Sequence, residues 1–260
     1  MRYDHYHSID IRMDGAVCIV SLNKPELRNA LAEEMREELK EFFQMVGDDR
    51  SVRSIVLTGK GNVFSAGGNL KALQLLDSKE IQNRMERSHE LIRLMLRLQK
   101  PIIAAVHGAA AGAGFSLALA CDMIFAAKSA VFIQSFIKIG VVPDLGSLYF
   151  LPQLVGRHKA MELMLLGEKV HSDEMQKLGV VNRVVEDGEL LGETLRVARQ
   201  VAGNPTLAMG LIKQMATSGT LEELEKTFEA EKQSQSICFE SDDFKEGVQA
   251  FFEKRKPVYH

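Results

Sequence analysis

Residues 107–122, HGAAAGAGFSLALACD, follow an apolar run and offer almost no side chains before a helix-like segment begins. A second bare loop, VFSAGGNL at 63–70, also follows a strand-like run and opens a helix. Two such loops can each direct a backbone N–H at one point, which is the arrangement of an oxyanion hole. Tight packing of a helix on a strand is the alternative explanation of either loop taken alone.

The chain around these loops alternates between strand and helix patterns. SIDIRMDGAVCIVSL predicts a hairpin that turns at Asp14 and Gly15, since apolar residues alternate in its second half. A charged helix over 33–43, the strand SVRSIVLTG, a helix over 81–98 and the strand IIAAVH follow. This order predicts an α/β fold with a largely parallel sheet and crossover helices.

From about residue 157 the pattern becomes almost entirely helical. Gly167 and Gly179 are expected to end two helices, and Ser172 is expected to cap the second of them. Four more helices are predicted, over 190–201, 206–217, 221–235 and 242–254. VVNRVV is the one strand expected in this region.

Composition limits the classes of function. The 260 residues, 46% of them hydrophobic, are enough for a large core, and a net charge of −3 argues against nucleic acid as the main partner. No run approaches the ~18–20 apolar residues of a membrane span, and the first residues lack a signal-peptide pattern, so a cytoplasmic location is expected. The spacing of Cys18, Cys121 and Cys238 indicates reduced thiols and no metal site.

The spacing GxxxGxG in GAAAGAG resembles the nucleotide-binding turn of short-chain dehydrogenases. That family places its glycine loop after the first strand and uses a Tyr-x-x-x-Lys pair. Here the loop starts only at Gly108, and none of the four tyrosines has a lysine four residues later. The dehydrogenase interpretation is therefore disfavoured.

A different resemblance covers essentially the whole chain. Its motifs are LNKPELRNAL, FSAGGNL, AAVHGAAAGAGFSLALACDMIFAA, IGVVPDLGSLYFLPQLVG and EGVQAFFEKRKPVY. On these motifs the sequence resembles the crotonase family, the enoyl-CoA hydratase/isomerase superfamily. The resemblance implies the α/β crotonase (ClpP-like) fold, with a ββα spiral acyl-CoA-binding core over 1–200 and a helical trimerisation region over 201–260. It also implies a homotrimer or a dimer of trimers, a coenzyme A thioester as substrate and no separate cofactor.

By the same resemblance, the oxyanion-hole N–H groups belong to Ala66 and Ala113. The two glutamates of hydratases fall on Ser116 and Phe136, so the usual hydratase mechanism lacks both carboxylates. Family members that shift double bonds or epoxide rings, such as the isomerases of phenylacetate degradation, look similar at Asp144. One carboxylate in a dry pocket can take a proton from one carbon and return it to another. A helix N-cap is the alternative role of Asp144, and a small helical residue that of Ser116.

The substrate contacts follow partly from charge and partly from the resemblance. Lys24, Arg28 and Lys254 are candidates for the coenzyme A phosphates, and Phe251 matches a residue that approaches the coenzyme of a neighbouring subunit. The remaining candidates for the acyl and thioester site are Ser65, Gly68, Leu70, Gly112, Ser116, Gln134 and Phe136.

Three functions therefore stay open: an acyl-CoA isomerase that uses Asp144, a hydratase with atypical catalytic residues, and a non-catalytic acyl-CoA-binding protein. Asp144 separates the first from the third, because a protein that only binds the thioester has no need of a carboxylate at an enolate.

Overall fold

The computed structural model describes Tyr3 and residues 5–259. The strands are β1 (Ile9–Asp14), β2 (Val17–Leu22), β3 (Ser54–Gly59), β4 (Ile102–Val106), β5 (Ala109–Ala111), β6 (Met123–Ala127), β7 (Val131–Ile133), β8 (Lys169–His171) and β9 (Arg183–Val185). The α-helices are α1 (Glu33–Gly47), α2 (Leu70–Leu73), α3 (Ser78–Arg97), α4 (Ala113–Leu119), α5 (Ser147–Val155), α6 (Arg157–Leu166), α7 (Ser172–Lys177), α8 (Leu190–Ala202), α9 (Thr206–Glu240) and α10 (Asp242–Glu253).

Two sheets organise the strands. Six strands pair in the order β1-β2-β3-β4-β6-β9, and three pair in the order β5-β7-β8. In the larger sheet β1 and β2 form an antiparallel hairpin, whereas the other pairs are parallel. The predicted α/β architecture and the opening hairpin are therefore confirmed.

Helices on the faces of the larger sheet bury its central strands. Every residue of β2 and β4 is buried, as expected of parallel strands that are covered on both faces. α8 packs on β2, β3, β4 and β6, and α1 packs against α3. The three cysteines are free thiols, as their spacing predicts.

The long helix α9 corrects one prediction, because residues 206–240 form a single helix and not two. Ser218 and Gly219 suggest a break, since glycine costs about 1 kcal/mol in a helix interior. Packing along α3 outweighs that cost, with Leu224 and Phe228 fully buried on this side of α9. The neighbouring Arg93 of α3 donates two hydrogen bonds of 2.8 Å to Glu225.

Two smaller predictions about the helical region are also wrong. VVNRVV is not the only strand there, because β8 pairs with β7 and extends the smaller sheet. Ser172 does not cap α7: it is the first helical residue after the N-cap His171, and its Oγ donates to the Lys128 carbonyl at 2.9 Å. Gly167 and Gly179 do end helices in the left-handed conformation, as predicted.

Among the described residues no helix combines the length and apolarity that crossing a bilayer requires. Several large apolar side chains at the start of α9 are nevertheless exposed, namely Leu207, Leu211, Ile212 and Met215. The role of residues 201–260 in trimerisation, and the domain boundary at residue 200, stay predictions.

Backbone packing between the two bare loops explains why side chains are missing there. Ser65 accepts a hydrogen bond from the Ala111 N–H at 3.0 Å and donates its own N–H to Ala109 at 3.1 Å. A Cβ on Gly114 would lie 2.6 Å from the Ser65 carbonyl oxygen. Tight packing is thus one reason for the glycines, and it brings the loops into contact.

Gly108 gives a direct test of this packing. It has a φ of +58°, and a Cβ there would overlap the carbonyl oxygen of Asn62. We expect Gly108→Ala to lower the free energy of unfolding by roughly 2–5 kcal/mol, from the left-handed backbone and the overlap together. Denaturant unfolding measures the loss. Gly188→Ala is the matched control, since a Cβ on Gly188 has open space, and equal stability of the two variants would contradict the account.

Candidate active site

A cleft opens where the two bare loops meet the turn that carries Asp144. Phe136 and Val141 contribute apolar surface to it, and Asp144 and Arg84 contribute charge. The full set of lining residues is Ala66, Gly68, Leu73, Arg84, Gly112, Ala113, Ser135, Phe136, Ile139, Val141, Asp144, Gln235 and Phe239.

The first loop presents one free backbone donor, and it is not the predicted one. The Ala66 N–H already donates to the Arg28 carbonyl at 2.9 Å, and the Gly67 N–H donates to Ser65 Oγ at 3.2 Å. Within residues 5–259 the Gly68 N–H has no acceptor, and Gly68 lines the cleft. The Ala66 N–H is therefore not available as the predicted oxyanion-hole donor, and the Gly68 N–H is the free donor that this loop presents to the cleft.

The second loop has a free backbone N–H at Ala113, whose role in an oxyanion hole stays a prediction. Ala113 is the first residue of α4, so its N–H has no carbonyl to bond within the helix. A Cβ on Gly67 would lie 3.3 Å from the Ala113 nitrogen, which places the two loops side by side. Gly112 precedes Ala113 with a φ of +49°, a conformation that favours glycine. The cleft thus has two free N–H groups on adjacent loops.

Asp144 is the carboxylate of this cleft. It is buried, with 5% of its surface exposed, and its Oδ1 atom has no hydrogen-bond partner within the described part of the chain. Burial raises the pKa of Asp144 to about 6, while the positive charges of Arg84 and Arg36 oppose the rise. The N-cap alternative is excluded, because Gly146 is the N-cap of α5.

The turn that carries Asp144 is held from behind by a second carboxylate. Leu145 has a φ of +56° and Gly146 a φ of +78°, and Glu231 of α9 accepts the Gly146 N–H at 3.0 Å. Glu231 also lies 2.9 Å from Nε2 of His89, and both side chains are fully buried. Burial raises the pKa of Glu231 well above its usual value and lowers the pKa of His89 to about 3.

Two buried guanidinium groups lie near Asp144. Arg36 donates to the Leu31 carbonyl at 2.7 Å and to Glu33 at 3.0 Å. Arg84 donates only to the weak acceptor Met85 Sδ, at 3.9 Å, and its burial lowers its pKa to about 10. Arg84 therefore faces the cleft without an oxygen acceptor among the described residues.

The other predicted site residues divide into two groups. Gly68, Gly112 and Phe136 line the cleft with Asp144 and Ala113. The residues that do not line it are Lys24, Arg28, Ser65, Leu70, Ser116, Gln134, Phe251 and Lys254.

Local contacts explain several of these placements. Ser65 Oγ donates to the Asn29 carbonyl at 2.8 Å, and Ser116 Oγ lies 3.3 Å from the Gly112 carbonyl, so both serines stabilise backbone. Lys24 pairs with Glu34, 3.6 Å away. Gln134 is buried, and its side-chain amide has no partner within the described residues. The predicted contacts of Phe251 and Lys254 with a neighbouring subunit stay predictions.

The residues that sequence reasoning missed are Arg84, Arg36, His89 and Glu231. A signal for two of them exists in α3, because Arg84 and His89 fall on the same helical face as the buried Ile81 and Met85. A charged residue on the apolar face of a helix indicates that its side chain is buried and has a polar partner or function there.

Comparison with known proteins agrees with this geometry. The family model for enoyl-CoA hydratase/isomerase matches residues 12–260. The 1,2-epoxyphenylacetyl-CoA isomerase of Escherichia coli is 36% identical over 251 residues, covering 95% of this chain and 96% of that protein. The crotonyl-CoA hydratase of Syntrophomonas wolfei is 33% identical over 252 residues, covering 96% and 97%.

A solved structure agrees as well. The crystal structure of an enoyl-CoA hydratase from Mycobacterium avium subsp. paratuberculosis superposes with a TM-score of 0.89 at 30% identity, covering 98% of this chain and 99% of that one. The architecture is therefore the crotonase fold with a helical C-terminal region. By its motifs, its fold and these relatives, the chain belongs to the enoyl-CoA hydratase/isomerase family of the crotonase superfamily.

Proposed function

We propose that the protein is an acyl-CoA isomerase, which shifts a double bond or opens an epoxide ring next to a coenzyme A thioester through an enolate. The observation that carries this proposal is that Asp144 is the only carboxylate among the described residues that line the cleft. It shares that cleft with the free N–H groups of Gly68 and Ala113. The similarity to a 1,2-epoxyphenylacetyl-CoA isomerase supports the same choice.

The proposed steps use only these groups. The thioester oxygen accepts hydrogen bonds from the Gly68 and Ala113 N–H groups, which stabilise the negative charge of the enolate. Asp144 removes a proton from the α-carbon, and the C–H electron pair moves into the enolate. The protonated Asp144 then delivers that proton to the γ-carbon, which leaves the double bond between the α- and β-carbons. The surrounding apolar residues keep water away from the enolate.

Hydration is less well supported by the residues of the cleft. Addition of water across a double bond needs groups that activate water and protonate the α-carbon. Ser116 bonds backbone, and Phe136 has no proton to exchange. We therefore place the chain with isomerases, although some relatives of similar identity are named as hydratases.

The pH dependence follows from the environment of Asp144. Asp144 accepts a proton only when it is ionised, so kcat/KM for a 3-enoyl-CoA with an uncharged acyl group should fall as the pH drops through about 6. Arg84→Gln removes a positive charge that lowers this pKa, so the acidic limb should move to higher pH. A pH profile of both proteins measures the shift. An unchanged limb, or one at lower pH, contradicts the assignment of Asp144 as the base.

Product analysis tests the proposed function itself. The protein is incubated separately with a 3-enoyl-CoA and a 2-enoyl-CoA. The products are separated, and their masses are measured by mass spectrometry. We expect interconversion of the two at constant mass. A product heavier by one water indicates a hydratase, and no product from either thioester indicates a protein that only binds acyl-CoA.

A further inference from the structure

We propose that the acyl group of the substrate carries a carboxylate, and that Arg84 binds it. This inference rests on the proposed function and narrows it to enoyl-CoA thioesters of dicarboxylic acids. It identifies Arg84 as a residue that determines specificity.

The first step is the position of Arg84. Only 6% of its surface is exposed, yet it lines the cleft together with Asp144. Its Nη2 atom lies 3.9 Å from the position of a Cβ on Gly68, the loop residue that supplies an oxyanion-hole donor. A group that Arg84 binds therefore belongs to the acyl part of the substrate. The phosphates of coenzyme A are separated from this point by the whole thioester arm.

The second step is the missing partner. No carboxylate of residue 3 or of residues 5–259 lies within 4.0 Å of Arg84, and the weak contact with Met85 Sδ is its one hydrogen bond there. A guanidinium has five N–H donors in a planar fork that fits a carboxylate with two parallel bonds. In contrast, Arg36 donates to Glu33 and to a carbonyl oxygen, and it does not line the cleft. Among the described residues that line the cleft, Arg84 is thus the cation whose N–H donors lack a strong acceptor.

The third step concerns the charged groups around Arg84. The charged groups that act on Arg84 most strongly are the cations Arg36 and Arg87 and the anions Asp144 and Glu33. Arg87 and Glu33 are half-exposed and pair with each other at 2.7 Å, and Glu33 also pairs with Arg36 at 3.0 Å. Within the described residues Arg84 therefore has no carboxylate in direct contact, although it lies in a buried, largely apolar place where an unpaired charge is costly.

The reaction does not bring a carboxylate into contact with Arg84. When Asp144 takes the proton, it loses its negative charge and the enolate gains one, so the total charge of the cleft stays the same. The enolate therefore replaces Asp144 as the anion and leaves Arg84 as before. A carboxylate on the acyl chain gives Arg84 a direct partner throughout the cycle, and a neutral acyl chain leaves it unpaired.

The experiment compares two matched substrates on the native protein. One is a 3-enoyl-CoA with a terminal carboxylate, and the other is its methyl ester, each prepared in a series of chain lengths. We expect kcat/KM for double-bond migration to favour the acid by about 10–100-fold at the best length, the effect of one charge-assisted contact. An ester that reacts as well as the acid at every length overturns the inference.

Variants assign the preference to Arg84. Arg84→Gln should bring the acid-to-ester ratio to one or below, and Arg84→Lys should restore part of it, since lysine keeps the charge and loses the planar fork. Arg97→Gln, an exposed arginine of the same helix, should keep the native ratio. Taking the ratio cancels any effect of Arg84 on Asp144 that both substrates share. A native ratio in Arg84→Gln contradicts the role of this residue.

The outcomes also separate the inference from the proposed function. If the native protein isomerises the ester as well as the acid, the proposed isomerase activity is supported and the proposed carboxylate site at Arg84 is contradicted. If it isomerises neither, the proposed function falls. Should Arg84→Gln fail to fold, the ratio measured on the native protein still decides whether a carboxylate is preferred.

Discussion

Asp144→Asn is expected to lower kcat/KM for migration of a double bond by about 10²–10⁴-fold, the usual contribution of a positioned acid or base. Asparagine has nearly the same size but does not accept the α-proton. The rate is measured from the absorbance of the conjugated thioester that forms. Retention of more than a tenth of the native rate contradicts the role of Asp144.

The stability of the same variant shows whether its loss of activity is chemical. The folded-state pKa of Asp144 is raised to about 6 from 3.8, so the folded protein binds this proton more tightly than the unfolded chain does. Ionisation therefore costs stability as the pH rises through this interval. Asp144→Asn should unfold at a higher temperature than the native protein above pH 6, and the difference should shrink as the pH falls towards 4. A lower melting temperature above pH 6 indicates damage to the fold.

Ala113→Pro has the second largest expected effect, because proline lacks the N–H that completes the oxyanion hole. Ala113 is the first residue of α4, a position where helices accept proline. We expect kcat to fall by about 10²–10³-fold, as for the loss of one such donor in other enzymes.

Ala113→Gly is the matched control, since it keeps the N–H and removes only the methyl group. It should retain most of the native kcat, with a small loss of stability from the glycine. Circular dichroism of both variants confirms that α4 and the surrounding fold persist. Equal activity of the proline and glycine variants contradicts the role of the Ala113 N–H.

The sequence predicts the outline of the fold and the centre of the site because both depend on local patterns. The hairpin at Gly15, the strand-loop-helix units and the two bare loops all follow from periodicity and glycine spacing. Asp144 stands out because it is an acid within an apolar segment. Each of these features depends on only a few neighbouring residues.

The identity of the first oxyanion-hole donor depends on a contact between residues far apart in sequence, so local patterns do not predict it. The Ala66 N–H is taken by the Arg28 carbonyl, which lies on another loop. Gly67 then turns the chain with a φ of +93°, and the next N–H, that of Gly68, is left free. No property of the residues FSAGGNL alone decides between the two donors.

The polar groups behind Asp144 were missed for a related reason. Charged residues in a predicted amphipathic helix are normally assigned to its solvent face. Arg84 and His89 are buried only because α3 lies under the cleft and along α9, where Glu231 meets His89. The same packing joins residues 206–240 into one helix despite Gly219. Tertiary contacts between α3 and α9 thus decide what local sequence does not.

The most direct test of the account follows hydrogen at the α- and γ-carbons of a 3-enoyl-CoA by NMR in deuterated buffer, for the native protein and for Asp144→Asn. We expect that the native protein moves the double bond into conjugation, that any deuterium it incorporates appears only at these two carbons, that no 3-hydroxyacyl-CoA forms, and that migration slows by about 10²–10⁴-fold in Asp144→Asn. Formation of 3-hydroxyacyl-CoA by the native protein, or migration that keeps more than a tenth of its native rate in Asp144→Asn, would contradict the proposal that one buried aspartate carries the proton between the two carbons.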